Sequence, residues 1–284
     1  MFVKSLSASL VLVAANAASG EFNYDDIGAN WMVEGFHSPD CLNGKEQSPI
    51  DLLTSGATPT DDARFEGYGY NDWATGQKLL LLEHGLKMPI NDAPLLKEQF
   101  PDGTKDQFNA AQLHFHAPSE HSVDGKLYPL EMHIVHTHAE FPSSRFSVLG
   151  VFFEVGDEAN PYIESLDFAN ATTAGNPLTD VNLGSFLAGL DMSKYWHYDG
   201  SFTTPPCTEG VKWWVLREPV KITQAQLDAF TAYNWGNAKY EEGEGNNRMV
   251  MPLNDRTLYY RDTSMSNAIS LAAGAAALSL LALF

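Results

Sequence analysis

The sequence predicts a mainly β protein built as a single domain. Several runs alternate polar with apolar residues or are rich in β-branched and aromatic residues, namely 78–83, 111–116, 130–136, 146–155 and 211–216. Segments rich in Gly, Pro, Asn and Asp separate these runs. No internal repeat and no linker divides the 284 residues, so we expect one strand-rich unit.

One helix is predicted near the end of this unit. Thr223 and Gln226 have the spacing of a capping box, in which each side chain binds a free backbone N–H group at the helix start. Leu227, Phe230 and Tyr233 follow at helical spacing. The segment therefore predicts a helix that begins at Thr223 and carries an apolar stripe.

The charge balance limits the partners of the chain. It has 36 Asp and Glu residues against 17 Lys and Arg residues, which gives a formal net charge of −19. Such a polyanion repels phosphate backbones, and the sequence contains no basic cluster that would compensate. We therefore expect no nucleic-acid partner.

Both ends of the chain have the pattern of targeting signals. Residues 1–17 contain one early cation, an apolar run and an Ala-Asn-Ala cleavage sequence, which is typical of a secretory signal peptide. Residues 263–284 form a hydrophobic tail that follows small residues and ends at the C-terminus, which favours a GPI-anchor signal. A short retained membrane helix or a plain terminal helix are the alternatives. We expect a protein of the secretory pathway, located outside the cell, on its surface or in an endomembrane lumen, with membrane attachment through the tail.

Cys41 and Cys207 are the two cysteines of the chain. An even count in a chain that enters an oxidising compartment predicts one disulfide bond, and two buried thiols are the alternative. Asn170 begins the single N-x-[ST] sequon, so a glycan is predicted there on a surface loop.

Histidines carry the chemical signal of this sequence. Five of the nine histidines fall within residues 114–136. Residues two apart in a strand share a face of the sheet, so His114 and His116 project to the same side. A second strand over 130–136 can fold back antiparallel to the first through a turn at 124–125, and a cross-strand neighbour then supplies a third imidazole.

Three histidines without a fourth protein ligand describe a catalytic zinc site that keeps an open coordination position. By the same period of two, Gln112 shares the face of His114, and Glu131 shares that of His133. Either side chain can accept a ring N–H and fix the tautomer of its histidine. The remaining histidines of the cluster, His121 and His136, are interpreted as hydrogen-bonded structural residues.

A cupin-type metal enzyme is an alternative of another class. His114, His116 and Glu120 also match the start of the cupin motif, in which the glutamate helps to bind iron or manganese. A cupin places its last histidine after a Pro-x-Gly turn, and residues 131–133 contain no such turn. Three neutral imidazoles also suit zinc better than a set that includes a carboxylate.

A series of short motifs keeps its order over residues 22–260: Gln47–Asp51, Gln112–His116, Ser119–His121, Glu131–His136, Val148–Gly150, Tyr198–Pro206 with Glu209, and 246–256. In these motifs the chain resembles the alpha-class carbonic anhydrases of the secreted or membrane-anchored type. The resemblance implies a single domain with a large, mostly antiparallel twisted sheet and a few short peripheral helices. It assigns residues 18–262 to the catalytic domain.

The activity that the resemblance implies is that of a lyase. The enzyme would reversibly hydrate carbon dioxide to bicarbonate and a proton, by attack of zinc-bound hydroxide. One zinc ion per chain would be bound by His114, His116 and His133. The three rings would be held by the side chains of Gln112 and Glu131 and by the backbone carbonyl of Asn246. The partners are then carbon dioxide, bicarbonate and water, and the oligomeric state stays open.

The resemblance also assigns the residues around the metal. Thr203 would accept a hydrogen bond from the hydroxide and donate one to Glu120, while Thr204 would line the bicarbonate position. The residues of the substrate pocket would be Val135, Val148, Val211 and Trp213, with Phe202 at the mouth. The Cys41–Cys207 pair corresponds to a bridge that is common in secreted members.

One position departs from the family pattern. The usual proton-shuttle histidine aligns with Leu86, so His84, two residues earlier, is the candidate for this role. We therefore expect turnover that is slower and depends more strongly on buffer. A carbonic-anhydrase-like binding module without catalysis is the non-enzyme alternative, which the presence of all three ligands, Thr203 and Glu120 disfavours.

Overall fold

The computed structural model describes residues 22–32, 38–82, 84–90, 94–232 and 245–262. The predicted signal peptide, the hydrophobic tail and Tyr233 lie outside these residues. In the described part of the chain, no helix is long and apolar enough to cross a membrane.

Strands dominate the described residues, which confirms the predicted mainly β class. The first nine are β1 (Asp51–Leu52), β2 (Thr58–Pro59), β3 (Arg64–Tyr68), β4 (Lys78–Leu82), β5 (Gly85–Pro89), β6 (Leu95–Gln99), β7 (Lys105–His116), β8 (Ser122–Val123) and β9 (Lys126–Leu127). The following ones are β10 (Leu130–His138), β11 (Phe146–Val155), β12 (Asn176–Pro177), β13 (Lys194–Ser201), β14 (Glu209–Leu216), β15 (Val220–Ile222) and β16 (Tyr259–Asp262). The five predicted strand segments fall on β4, β7, β10, β11 and β14.

Most of these strands form one large sheet. Its main path runs β12-β4-β5-β7-β10-β11-β14-β13-β16-β2, and β6, β3 and β15 pair alongside this path. The pairs β5–β7, β7–β10, β10–β11 and β13–β14 are antiparallel. Strand β11 pairs in parallel with β14 and β15, so the sheet is mixed with a mostly antiparallel centre.

The central strands separate two apolar clusters on opposite faces of the sheet. On β7, Leu113 and Phe115 belong to the larger core cluster, together with Met132 and Ile134 of β10. The smaller cluster contains Val135 and its neighbours on β11 and β14. Because successive side chains of a strand alternate between faces, His114 and His116 of β7 and His133 of β10 lie on the side of the smaller cluster.

The helices are short and peripheral: α1 (Pro39–Asn43), α2 (Pro161–Ser165), α3 (Leu183–Ala188) and α4 (Gln224–Thr231), with 3-10 helices at Asp25–Met32 and Phe168–Asn170. Helix α4 is the predicted helix. The Thr223 hydroxyl accepts a hydrogen bond from the Gln226 N–H at 3.3 Å, and the Gln226 side chain accepts one from the Thr223 N–H at 3.1 Å. Phe230 is buried in the larger core, as its helical spacing predicts.

A disulfide bond joins Cys41 of α1 to Cys207, in the loop between β13 and β14, which confirms the predicted pairing. The sequence separation of the two cysteines is 166 residues. Both sulfur-bearing side chains are buried in a small cluster with Tyr24 and Trp31. The bond therefore ties the N-terminal part of the described chain to a loop near its C-terminal part.

Loss of this bond is expected to destabilise the fold. We predict that the variant Cys41→Ala/Cys207→Ala has a free energy of unfolding about 2–5 kcal/mol below that of the wild type, because the cross-link limits the unfolded chain. Urea denaturation with and without reductant measures the difference. The double variant serves as the control, since reductant should leave it unchanged. An unaltered wild-type curve after verified reduction would contradict the prediction.

Candidate metal centre

The three histidines proposed as ligands come together on two neighbouring strands. His114 and His116 lie on β7, and His133 of β10 pairs directly opposite His114. Directly opposite residues in antiparallel strands bring their side chains into contact on one face of the sheet. One nitrogen of each ring lies within 4.8 Å of the other two, so a single metal ion can contact all three rings.

The second nitrogen of each ring donates a hydrogen bond to an oxygen atom. These bonds join His114 Nδ1 to Gln112 Oε1 at 2.9 Å, His116 Nδ1 to the Asn246 carbonyl at 2.7 Å and His133 Nε2 to Glu131 Oε1 at 2.8 Å. An amide, carbonyl or carboxylate oxygen only accepts, so each of these ring nitrogens carries the proton. In the neutral form of each ring, the opposite nitrogen presents a lone pair toward the site.

Burial favours the neutral form of His114 and His116. It is the largest cause that holds the pKa of His114 well below its ordinary value, and His116, His133 and Lys87 lower it further. Burial also lowers the pKa of His116, against the opposing influence of Glu120. Since a neutral imidazole is the form that binds a metal, the environment favours metal binding.

Glu131 organises the region behind the ligands. Its carboxylate accepts hydrogen bonds from the backbone N–H groups of Glu120 and His121, both at 2.9 Å, and from the rings of His121 and His133. Burial alone would raise the pKa of Glu131, but the two imidazoles and their hydrogen bonds outweigh burial and hold it well below its usual range. Glu131 is therefore a fixed anion that orients His133.

Glu120 lies beside the ligand nitrogens. Its Oε1 accepts a hydrogen bond from the Arg248 N–H at 2.9 Å, and its Oε2 lies 3.4 Å from His116 Nε2 and 3.8 Å from His133 Nδ1. Thr203 is buried and lines the same cavity. Oε2 of Glu120 has no hydrogen-bond partner among the described residues, so the bond from Thr203 that the resemblance implies is not formed here.

The ligand set fits a zinc ion. The Nε2 atom of His116 is buried and makes no hydrogen bond within the described part of the chain. A buried polar atom of this kind is costly unless it has a partner, and a bound cation would provide one. Three neutral imidazoles are also a donor set that zinc uses in catalytic sites. The residues present thus agree with the predicted cofactor.

The histidines open into a cavity of about 430 Å³. The proposed substrate residues that line it are Val135, Val148, Phe202, Thr204 and Trp213. Val211 differs from these, because it is fully buried in the apolar cluster behind the cavity and does not line it. The cavity thus has an apolar wall beside the metal ligands.

His84 lies at another wall of the cavity. Its ring stacks on Phe22 with ring centroids 3.6 Å apart and an angle of 21° between the ring planes. Leu86, which occupies the aligned position of the usual shuttle, is buried and belongs to the larger core cluster. His84 is therefore the histidine outside the ligand set that lines the described cavity.

The loop that carries Thr203 is fixed at several points. Cys207 is bonded to Cys41, and its carbonyl accepts a hydrogen bond from Gln47 Nε2 at 3.0 Å. The Gln47 side chain also donates to Glu209 at 3.0 Å. This loop is thus held against the N-terminal segment, which restricts the position of Thr203.

The remaining histidines of the cluster are hydrogen-bonded elsewhere. His121 contacts Glu131 and the Tyr198 hydroxyl, both at 2.7 Å. His136 contacts the Tyr70 hydroxyl at 2.8 Å and the Ser147 carbonyl at 3.2 Å. Neither belongs to the three-histidine group of the cavity.

Sequence reasoning missed several residues of the cavity wall, including Phe22, Tyr24 and Lys87. Phe22 and Tyr24 come from the N-terminal segment, and no local pattern relates that segment to β7. Lys87 lies on β5 opposite His114, and the period of two along that strand is the signal that would have indicated its direction.

The sequence is similar to proteins of a known family. The model of the eukaryotic-type carbonic anhydrase family matches residues 28–262. The carbonic anhydrase of Klebsiella pneumoniae is 33% identical over 249 residues, which cover 81% of this chain and 90% of that relative. The carbonic anhydrase of Dunaliella salina is 31% identical over 264 residues, which cover 84% of this chain but only 43% of that longer relative.

A solved structure extends the similarity from the sequence to the fold. The alpha-carbonic anhydrase of Thermovibrio ammonificans, solved with the inhibitor sulfanilamide, has a TM-score of 0.70 and 32% sequence identity to this chain. The match covers 85% of this chain and 99% of that structure. Fold, histidine geometry and sequence similarity agree, and the chain belongs to the eukaryotic-type carbonic anhydrase family.

Proposed function

We propose that the protein is a zinc enzyme that reversibly hydrates carbon dioxide to bicarbonate and a proton. The observation that supports this most strongly is the convergence of three imidazoles on one point of a largely apolar cavity. His114, His116 and His133 would hold one zinc ion per chain. Zinc bound in this way lowers the pKa of water and so supplies hydroxide near neutral pH; carbonic anhydrase is itself the reference case, with a pKa of about 7.

The protein residues position the reactants. Val135, Val148 and Trp213 offer an apolar surface to carbon dioxide, a neutral molecule that gains from leaving water. Thr203 would orient the nucleophile through its hydroxyl, and Glu120 would accept a hydrogen bond from that hydroxyl when the two side chains approach. Thr204 would contact the bicarbonate product.

Release of the proton is the step for which we propose His84. The ring lines the cavity, so water molecules inside the cavity can connect it to the metal centre. Its stacking on Phe22 limits ring motion, and a restricted ring carries protons less readily than a ring that swings between two positions. Turnover would then depend on external buffer.

The processing of the chain is also a proposal. The disulfide bond supports an oxidising compartment, and residues 1–17 would be the signal peptide that directs the chain there. Asn170 is exposed, which a glycan at this position requires. Residues 263–284 would be a GPI signal or a retained anchor, and residues 18–262 the catalytic domain of a secreted or membrane-attached enzyme.

Two alternatives are not favoured. A cupin-type enzyme would use Glu120 as a ligand, but the family match and the solved relatives place the chain among the carbonic anhydrases. A binding module without catalysis would be expected to lack a ligand histidine, and all three are in place.

Metal analysis and kinetics test the proposal directly. We expect about one zinc per purified chain and hydration of carbon dioxide in stopped-flow measurements, with both lost in His114→Ala. His136→Ala is the matched control, because it removes a buried histidine of β10 that lies outside the three-histidine group. Iron or manganese in place of zinc would select the cupin alternative, and a metal-free chain would select the binding module.

The hydrogen bond that orients His114 predicts a partial loss of zinc affinity when its acceptor is removed. Gln112→Leu removes the oxygen that accepts from His114, so the ring loses its fixed tautomer and orientation. Zinc affinity, measured by competition with a chelating dye, should fall about 10- to 100-fold. Gln107→Leu makes the same chemical change at an exposed position of the same strand and should leave affinity unchanged. Equal affinities in the two variants would refute the role of Gln112.

The proposed proton route predicts a response to buffer. The carbon dioxide hydration rate of the wild type should rise with imidazole concentration, because an external base supplements His84. In His84→Ala the rate without buffer should be lower, and added imidazole should restore it toward the wild-type value. A wild-type rate that is already saturated without buffer, or an unchanged rate in the variant, would exclude the route.

A further inference from the structure

Lys87 is a cation in the wall of the metal cavity. It lies on β5 and pairs directly opposite His114 of β7. Directly opposite residues share a face of the sheet, so the lysine lies on the same face as the ligand histidines. The side chain is partly buried and lines the cavity, and its charge lowers the pKa of His114.

This charge has no counter-ion among the described residues. No carboxylate in the described part of the chain forms an ion pair with Lys87, and burial is the one resolved influence on its pKa, which it lowers. The described lining of the cavity contains no aspartate, glutamate or arginine. Lys87 is therefore the one side chain with a full charge at neutral pH in that lining, in a protein whose net charge is −19.

An unpaired ammonium group in a largely apolar cavity attracts anions. The surrounding apolar wall reduces solvent screening, so the attraction is stronger than it would be at the protein surface. We propose that Lys87 forms an anion subsite beside the metal centre, which binds bicarbonate and other small monovalent anions. The inference rests on the proposed function, since it assigns to the same cavity a residue that selects charged over neutral ligands.

The subsite should act on the charged ligand and leave the neutral one unaffected. Carbon dioxide carries no charge, so Lys87 gives it no comparable stabilisation. Bicarbonate is an anion, and its complex with the protein gains from the ammonium group. The overall equilibrium fixes the ratio of kcat/KM for carbon dioxide to kcat/KM for bicarbonate, so an unchanged value for carbon dioxide requires an unchanged value for bicarbonate. Loss of the charge weakens bicarbonate binding and should therefore raise KM and kcat for dehydration together. The kcat/KM for carbon dioxide should stay within about twofold.

Direct anion binding tests the subsite without relying on turnover. The probe is thiocyanate, titrated at acidic pH into the cobalt-substituted protein, with the visible absorption of the cobalt centre as the readout. Lys87→Met removes the charge and keeps the length of the side chain, and we expect its thiocyanate affinity to be about tenfold lower than that of the wild type. Lys87→Arg keeps the charge and should bind thiocyanate within about twofold of the wild type.

Lys78→Met is the matched control. It removes the same charge from an exposed lysine of β4, so a general effect of net charge would appear in both variants. Equal thiocyanate affinity in the wild type and Lys87→Met, or an equal loss in Lys78→Met, would overturn the subsite. Absence of carbon dioxide hydration in the wild type would instead overturn the proposed function, and the two failures are therefore distinguishable.

Discussion

The pairing of β7 with β10 is the constraint on which the site depends. The register places His133 opposite His114, and this alone brings a third imidazole to the pair on β7. A shift of one residue would turn His133 to the opposite face, into the larger apolar core, and would bring Met132 or Ile134 toward the metal ligands. The apolar residues of β10 therefore fix the metal site, because their burial opposes any such shift.

The sequence predicts the local part of this arrangement well. Alternation along a strand is a property of the backbone, so the common face of His114 and His116 follows from their spacing. The capping box at Thr223 is likewise local. The turn at Asp124 and Gly125 has positive φ values of 48° and 77°, which these residue types tolerate better than most others and which agree with the predicted reversal of the chain.

Contacts between residues far apart in the sequence could not be predicted from local patterns. Phe22 reaches the cavity from the first described residues, and Arg248 reaches Glu120 from the last described segment. No period along a strand relates such distant positions, because their contact depends on the packing of the whole sheet. The buried position of Val211 behind the cavity could not be predicted from local sequence either. Alternation indicates the face of the sheet on which a side chain lies, but not whether that side chain lines the cavity.

The cavity draws its parts from almost the full length of the domain. Phe22 forms part of the wall, whereas the carbonyl of Asn246 orients His116 across 130 residues of sequence. During synthesis on the ribosome, the strands that carry the histidines emerge long before Asn246. The nascent chain therefore has its three imidazoles without their complete support until the last strand region is released. A correctly oriented His116 is therefore available to bind the metal only after the domain has been translated.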